Sequence, residues 1–168
     1  DKVKNTTRFA HDAIKYLQTW ATGGSQGLDG LDLDVEADLH KISSKVIALV
    51  KDLRKATADR PGFLISWAGW MSGAHTQDPQ QDTTTVMHAV GADIDHVNVM
   101  SYIFNPKTAN VADSMAQWGQ LMTPAKVSIG LCNDHPDCNA KNGGFATTEL
   151  ATTYSKLAVK QGYGGVMM

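Results

Sequence analysis

Long hydrophobic runs are missing from this 168-residue sequence: no apolar stretch approaches the roughly 18 to 20 residues needed to span a bilayer. The amino end, DKVKNTT, lacks the apolar centre of a signal peptide. An excess of charge of one sign is missing too. Lys plus Arg number 15 and Asp plus Glu 17, for a formal net charge of −2, and no run rich in Lys or Arg occurs. That balance gives no electrostatic case for nucleic acid or an anionic membrane surface as a partner. Cysteine is scarce, with two residues, which excludes a disulfide scaffold. What is present is 42% hydrophobic and 19% charged residues, the composition of an ordinary globular chain, and a soluble single domain is expected.

Hydrophobic periodicity organises the chain into alternating strands and helices. Thr7 to Trp20 places Phe9, Ala13, Leu17 and Trp20 on one helical face before a turn at Gly23–Gly24. From Ala37 to Ala58, the residues Leu39, Ile42, Val46, Leu49, Val50 and Leu53 recur at spacings of three and four, the stripe of a long amphipathic helix. Shorter helical patterns occupy Thr84 to Val90, the stretch carrying Val111, Met115, Trp118 and Met122, and the stretch carrying Leu150, Tyr154 and Leu157, which Gly162 closes. Between them lie strand-like runs centred near Leu33, Ile65, Val99, Ile129 and Met167, spaced 30 to 38 residues apart. Strands joined by crossover helices run parallel, so the choice lies between an open doubly wound sheet and a closed barrel. No G-x-G-x-x-G follows the first strand, which weakens the dinucleotide-binding version. A repeat of about 31 residues taken eight times makes a (β/α)₈ TIM barrel of roughly 250 residues, of which this chain holds about five strands.

The first strand carries the chemistry. In LDGLDLDVE, Leu31, Leu33 and Val35 share one parity while Asp32, Asp34 and Glu36 share the other, so three carboxylates project from one face. With the apolar face toward the helices, the acids point into the barrel. Like charges stacked in a poorly solvated interior keep a proton on some of their number, and Glu36 stands outermost, at the carboxyl end where barrels of this kind carry out their chemistry. A protonated carboxyl there is a general acid. Metal binding and a purely structural network are the alternative readings. The acids lack the glycine placement of an EF-hand loop and alternate with Leu and Val, and buried like charges mark functional sites.

DGLDLDVE, Asp29 to Glu36, resembles the D-x-x-D-x-D-x-E signature of glycoside hydrolase family 18, the chitinases and endo-β-N-acetylglucosaminidases. VNVMSY resembles that family's M-x-Y strand at Met100 and Tyr102, and GYGGVMM its final strand. The resemblance implies that residues 1–168 are the carboxyl-terminal part of a single barrel, strands four to eight, cut at both ends. It implies that Glu36 protonates the glycosidic oxygen, that Asp34 orients the substrate's acetamide, that Asp32 holds or shares its proton, and that Tyr102 hydrogen-bonds the acetamide. The expected reaction is retaining, substrate-assisted hydrolysis of β-1,4-linked N-acetylglucosamine polymers, with no cofactor. Acids side by side on one strand cannot flank a sugar from opposite faces, so the nucleophile must come from elsewhere, and the sugar's own acetamide oxygen can supply it. Endo-β-N-acetylglucosaminidase action on glycoprotein glycans and a non-catalytic chitin-binding lectin are the rival readings. The acid whose replacement usually marks the lectin is present as Glu36.

The chain departs from the family pattern at Val35, where Trp is common, and at Ile103, where Asp or Asn usually follows the Tyr and polarity returns only at Asn105. LISWAGW lacks the family's A-P pair, and about 33 residues between Leu131 and Gly164 leave no room for the insertion that deepens the cleft in one branch. Asp29, Met100, Trp67, Trp70 and Asn105 are expected to line an open groove, with Trp67 and Trp70 stacking on sugar rings, whereas Trp118 belongs to a core-facing stripe. CNDHPDC invites a metal reading through Cys132, His135 and Cys138, but a fourth ligand is absent. A Cys132–Cys138 loop disulfide is preferred, and with it a secreted or extracytoplasmic setting. His75, His88 and His96 show no partner pattern. The complete enzyme is expected to be monomeric, whereas these residues alone, with strand edges unpaired, are expected to be a poor enzyme.

Overall fold

A computed structural model of the protein describes residues 4–22, 27–74, 80–102, 110–133 and 146–168. Asn105 and Cys138 lie outside the described residues, as do Ile103, His75, His135 and the Gly23–Gly24 turn. Among the described residues five strands alternate with five helices: α1 (Thr6–Gln18), β1 (Gly30–Asp34), α2 (Leu39–Ala56), β2 (Leu64–Trp70), α3 (Thr84–Val90), β3 (His96–Met100), α4 (Val111–Leu121), β4 (Val127–Gly130), α5 (Thr148–Gln161) and β5 (Gly165–Met167). Among the described residues no helix is long and apolar enough to cross a membrane.

The strands form one parallel sheet in the order β1-β2-β3-β4-β5. That order decides between the two architectures left open by the periodicity. A doubly wound sheet reverses its strand order at a switch point, whereas a sheet wound in one direction keeps its crossover helices on one face and reserves the other for a barrel interior. Burial follows the same division. Leu33, Ile65, Trp67, Val97, Val99, Val127 and Ile129 are buried toward the helices, while Asp32 and Asp34 are exposed and Ser66, Ala68, Trp70, His96 and Asn98 are half-buried on the opposite face.

Local chemistry sets the helix ends. The side chains of Asn5, Asn110 and Thr147 each accept a hydrogen bond from a backbone N–H of the first turn of α1, α4 and α5, satisfying donors the helix itself cannot. Gly162 ends α5 in the left-handed conformation at φ 70°, where a side chain would be strained. The α2 stripe of Leu39, Val46, Val50 and Leu53 is buried as its spacing predicts. In α1 the packed face is rotated from the expected one: Ala10 and Ile14 are buried, whereas Phe9 and Trp20 are 44% and 56% exposed. The large aromatics are left outside, where Trp20 meets Tyr16 edge-on at 6.4 Å.

One polar clamp ties the helix layer to the amino ends of the strands. The Arg54 guanidinium on α2 donates to the carbonyls of Asp93 and Phe63, each at 2.7 Å, and to the Asp95 carboxylate. The same Asp95 oxygen accepts the Ile65 backbone N–H at 2.7 Å, so a single cation fixes the entrances of β2 and β3 relative to α2.

Candidate active site

The carboxyl ends of the strands converge on the acidic face. Asp32, Asp34 and Glu36 are all exposed on the side of β1 away from the helices, with Glu36 two residues beyond the end of the strand. Their expected crowding in a dry interior is not reached by the five described strands. The Ser66 hydroxyl on β2, level with Asp32 in the register, donates to Asp32 Oδ1 and fixes the plane of that carboxylate. Alternation made the acids legible in the sequence; Ser66 was not, because its partner lies 34 residues away on a strand whose register only the sheet determines.

Tyr102, just past β3, turns toward the same acids. Burial is the main cause that raises its phenol above the ordinary value of 10.0, and the negative fields of Asp34, Glu36 and Asp32 push it further in the same direction. The phenol therefore remains protonated, and a hydrogen-bond donor, throughout the neutral range. Gly130 makes room for it: a Cβ there would lie 3.0 Å from Tyr102 Cε1 and 2.3 Å from the Val99 carbonyl oxygen. In an ultraviolet titration compared with Tyr102→Phe, the phenol is expected to ionise above pH 10, and Asp34→Asn to move that ionisation downward by removing a negative neighbour. A midpoint at or below 10 would contradict this geometry.

Deeper on this face, His96 Nε2 lies 2.6 Å from the Ser128 hydroxyl oxygen. Burial lowers the imidazole below its ordinary 6.5, against the opposing pull of Asp32, so the ring is neutral at pH 7. A Cβ on Gly164 would sit 2.7 Å from His96 Cε1, so that glycine is what admits the ring. His88, by contrast, is an exposed surface residue.

Two expected groove residues are elsewhere. Trp67 shares the parity of Leu33 and Val97 and is 1% exposed beneath the helices, so its ring cannot meet a sugar. Asp29 precedes β1, at the opposite end from Glu36 and about 20 Å of extended chain away. Its carbonyl accepts the Leu64 N–H at 2.9 Å, a strand-entry contact rather than a place in the groove. Trp70 does lie on the acidic face, half-buried and paired in register with Met100, which is buried on the same face. Trp118 is fully buried, as its helical stripe predicts. Cys132 is disulfide-bonded, while Cys138, the partner offered by the sequence, is not among the described residues. Among the described residues no three His, Cys, Asp or Glu side chains come together to hold a metal ion.

Residues 1–144 match the family model described as Glycosyl hydrolases family 18. The chain belongs to that family. No curated protein matches it in sequence. Among solved structures it is similar to a family 18 chitinase from Pseudoalteromonas aurantia, with a TM-score of 0.79 and 24% identity over 98% of this chain and 62% of that one. It is also similar to a fungal endo-β-N-acetylglucosaminidase of family 18, with a TM-score of 0.66 and 26% identity over 96% of this chain and 52% of the other. A xylanase-A-amylase inhibitor protein shares the fold at 21% identity and a TM-score of 0.62, over 96% of this chain and 61% of that one. The chain thus spans between about half and three fifths of the length of these relatives. Its parallel βα units are those of the family's TIM barrel, strands four to eight in the reading above.

Proposed function

We propose that this protein takes part in retaining, substrate-assisted hydrolysis of β-1,4-linked N-acetylglucosamine polymers. The observation that carries the reading is the single exposed face on which Asp32, Asp34 and Glu36 stand in line, with the protonated Tyr102 phenol turned toward them. In this reading Glu36 gives its proton to the glycosidic oxygen as the bond to the anomeric carbon breaks. The carbonyl oxygen of the sugar's own acetamide attacks that carbon from the opposite face and closes a five-membered ring. Asp34 accepts the acetamide N–H and Tyr102 donates to the acetamide oxygen, which aligns the nucleophile, while Asp32, held by Ser66, shares the proton of Asp34. Water then opens the ring, losing its proton to Glu36, and the second inversion restores the configuration.

Oligomers of N-acetylglucosamine are expected to be cleaved, and fully deacetylated oligomers of the same length are not, because the nucleophile is removed with the acetyl group. A thiazoline mimic of the cyclised intermediate is expected to inhibit. Equal rates on both oligomers would overturn the mechanism. The 26% identity to the fungal endo-β-N-acetylglucosaminidase favours a second reading, cleavage within glycoprotein glycans, which uses the same acids. Release of glycans from a high-mannose glycoprotein with chitin oligomers left intact would select it. The disulfide at Cys132 supports a secreted or extracytoplasmic setting.

A further inference from the structure

At the base of the column of acids, a polar row crosses the sheet on the same face. Asp32, Ser66 and His96 are level in register on β1, β2 and β3. The Ser66 hydroxyl gives its single proton to Asp32 Oδ1, and on β4 the Ser128 hydroxyl meets His96 Nε2 at 2.6 Å. Gly164, which leaves room for the imidazole, is itself fixed, its N–H shared between the Pro124 and Val127 carbonyls at 3.1 and 2.9 Å. Asp34, two residues further along β1, is level with Ala68 and Asn98. The Ala68 methyl offers it no donor like that of Ser66. The sheet thus treats the two aspartates differently: the row of Asp32 holds a hydroxyl and then a titratable ring, and the row of Asp34 holds a methyl and then an amide.

Two strand spacings, about 10 Å, separate the backbones of β1 and β3, close enough for a charge on one to act on the other across a half-buried face. The Asp32 carboxylate is the charge whose field acts on the ring, opposing the effect of burial. Of the other charged groups beside the ends of β3 and β4, Asp95 is taken by Arg54 and Lys126 by the Ile94 carbonyl. We propose that His96 is a positioning residue for the proton shared by Asp32 and Asp34, acting on Asp32 across Ser66. The proposal rests on the reading of the acidic face as a glycosidase site. With the ring neutral, the proton passes from the Asp34 carboxyl to the Asp32 carboxylate, and the pair keeps its single negative charge. Asp34 is then the anion that accepts the acetamide N–H and faces the positive charge that develops as the five-membered ring closes. An imidazolium in the same place favours Asp32 as the carboxylate and returns the proton to Asp34, which removes that anion. Catalysis is therefore confined to pH values above the midpoint of a ring that is not one of the acids.

The test compares kcat of His96→Gln with that of the wild type from pH 7 downward, on the full-length protein with N-acetylglucosamine oligomers as substrate. Gln keeps a polar atom within reach of Ser128 and cannot take up a proton. One pH unit below the midpoint of the ring, about one tenth of the rings are neutral, so the ratio of variant to wild-type kcat is expected to be about tenfold higher there than at pH 7. A ring that only packs against Ser128 would change the melting temperature and leave that ratio flat. The midpoint itself is read from the His96 Cε1 proton by NMR. It is expected below 6.5 in the wild type and lower still in Asp32→Asn, where the negative neighbour is gone. That titration is the deciding measurement should His96→Gln not fold. If the wild type cleaves the oligomers while the ratio stays flat with pH, or Asp32→Asn leaves the midpoint in place, the role of His96 is overturned and the glycosidase reading stands. If the wild type neither cleaves nor binds them, both fail.

Discussion

Replacing Glu36 by Gln is expected to reduce hydrolysis of N-acetylglucosamine oligomers by about 10²- to 10⁴-fold while leaving their binding within a few fold. The amide keeps the shape of the carboxyl and its place at the end of the acidic row but carries no proton acidic enough for the departing oxygen. The effect must fall on kcat. A binding isotherm for the variant close to that of the wild type, with products absent, is the signature of a lost general acid. Turnover near the wild-type rate would remove Glu36 from the reaction. The same substitution at Glu149, in the first turn of α5, provides a control for a carboxylate with no place on the acidic face.

Trp67→Ala is expected to destabilise the fold by about 3 to 5 kcal/mol, because the ring is 1% exposed between β2 and the helices and the cavity it leaves cannot collapse fully. For a chain of this size that corresponds to a loss of about 10 °C in Tm. Trp67→Phe is expected to cost much less. The Trp67 indole N–H is buried without a hydrogen-bond partner among the described residues, so its removal relieves an unpaired donor while most of the ring volume remains. Trp70, three residues away on the other face, is expected to move Tm little when replaced by Ala. Denaturant titration of the three variants separates the two tryptophans, and a loss below about 1 kcal/mol for Trp67→Ala would contradict its place in the core.

The contrast between these two residues shows how far a linear reading reached. Alternation in LDLDVE assigned the acids to one face because a strand has a period of two and the register of a single strand requires no partner. Applied to LISWAGW, the same rule separates Trp67 from Trp70, but which of the two faces the groove depends on which side of the sheet receives the helices. In α1, Phe9 and Trp20 fit one helical stripe by spacing, yet the face that is buried carries Ala10 and Ile14, and Thr6 and Thr7 reach α2 by donating to Asp52, because the face a helix presents is set by its neighbour and not by its own stripe. Asp29 belongs to the family signature, but in the structure it begins the strand, and the length of the strand separates it from Glu36.

By itself the sequence determined the succession of βα units, the amphipathic stripe of α2, the column of three acids and the family they point to, since each is a periodic or contiguous pattern readable without any partner. The tertiary structure alone decided that the strands run in unbroken order, that Ser66 holds Asp32, that Gly130 makes room for Tyr102, that Ser128 pairs with His96, and that Trp118 and Ser114 grip the turn after Trp70. Each of these joins residues 28 to 48 positions apart. Contacts of that kind depend on strand register and on the face each helix presents, and both are set by packing the whole sheet against its helix layer rather than by any local run of residues.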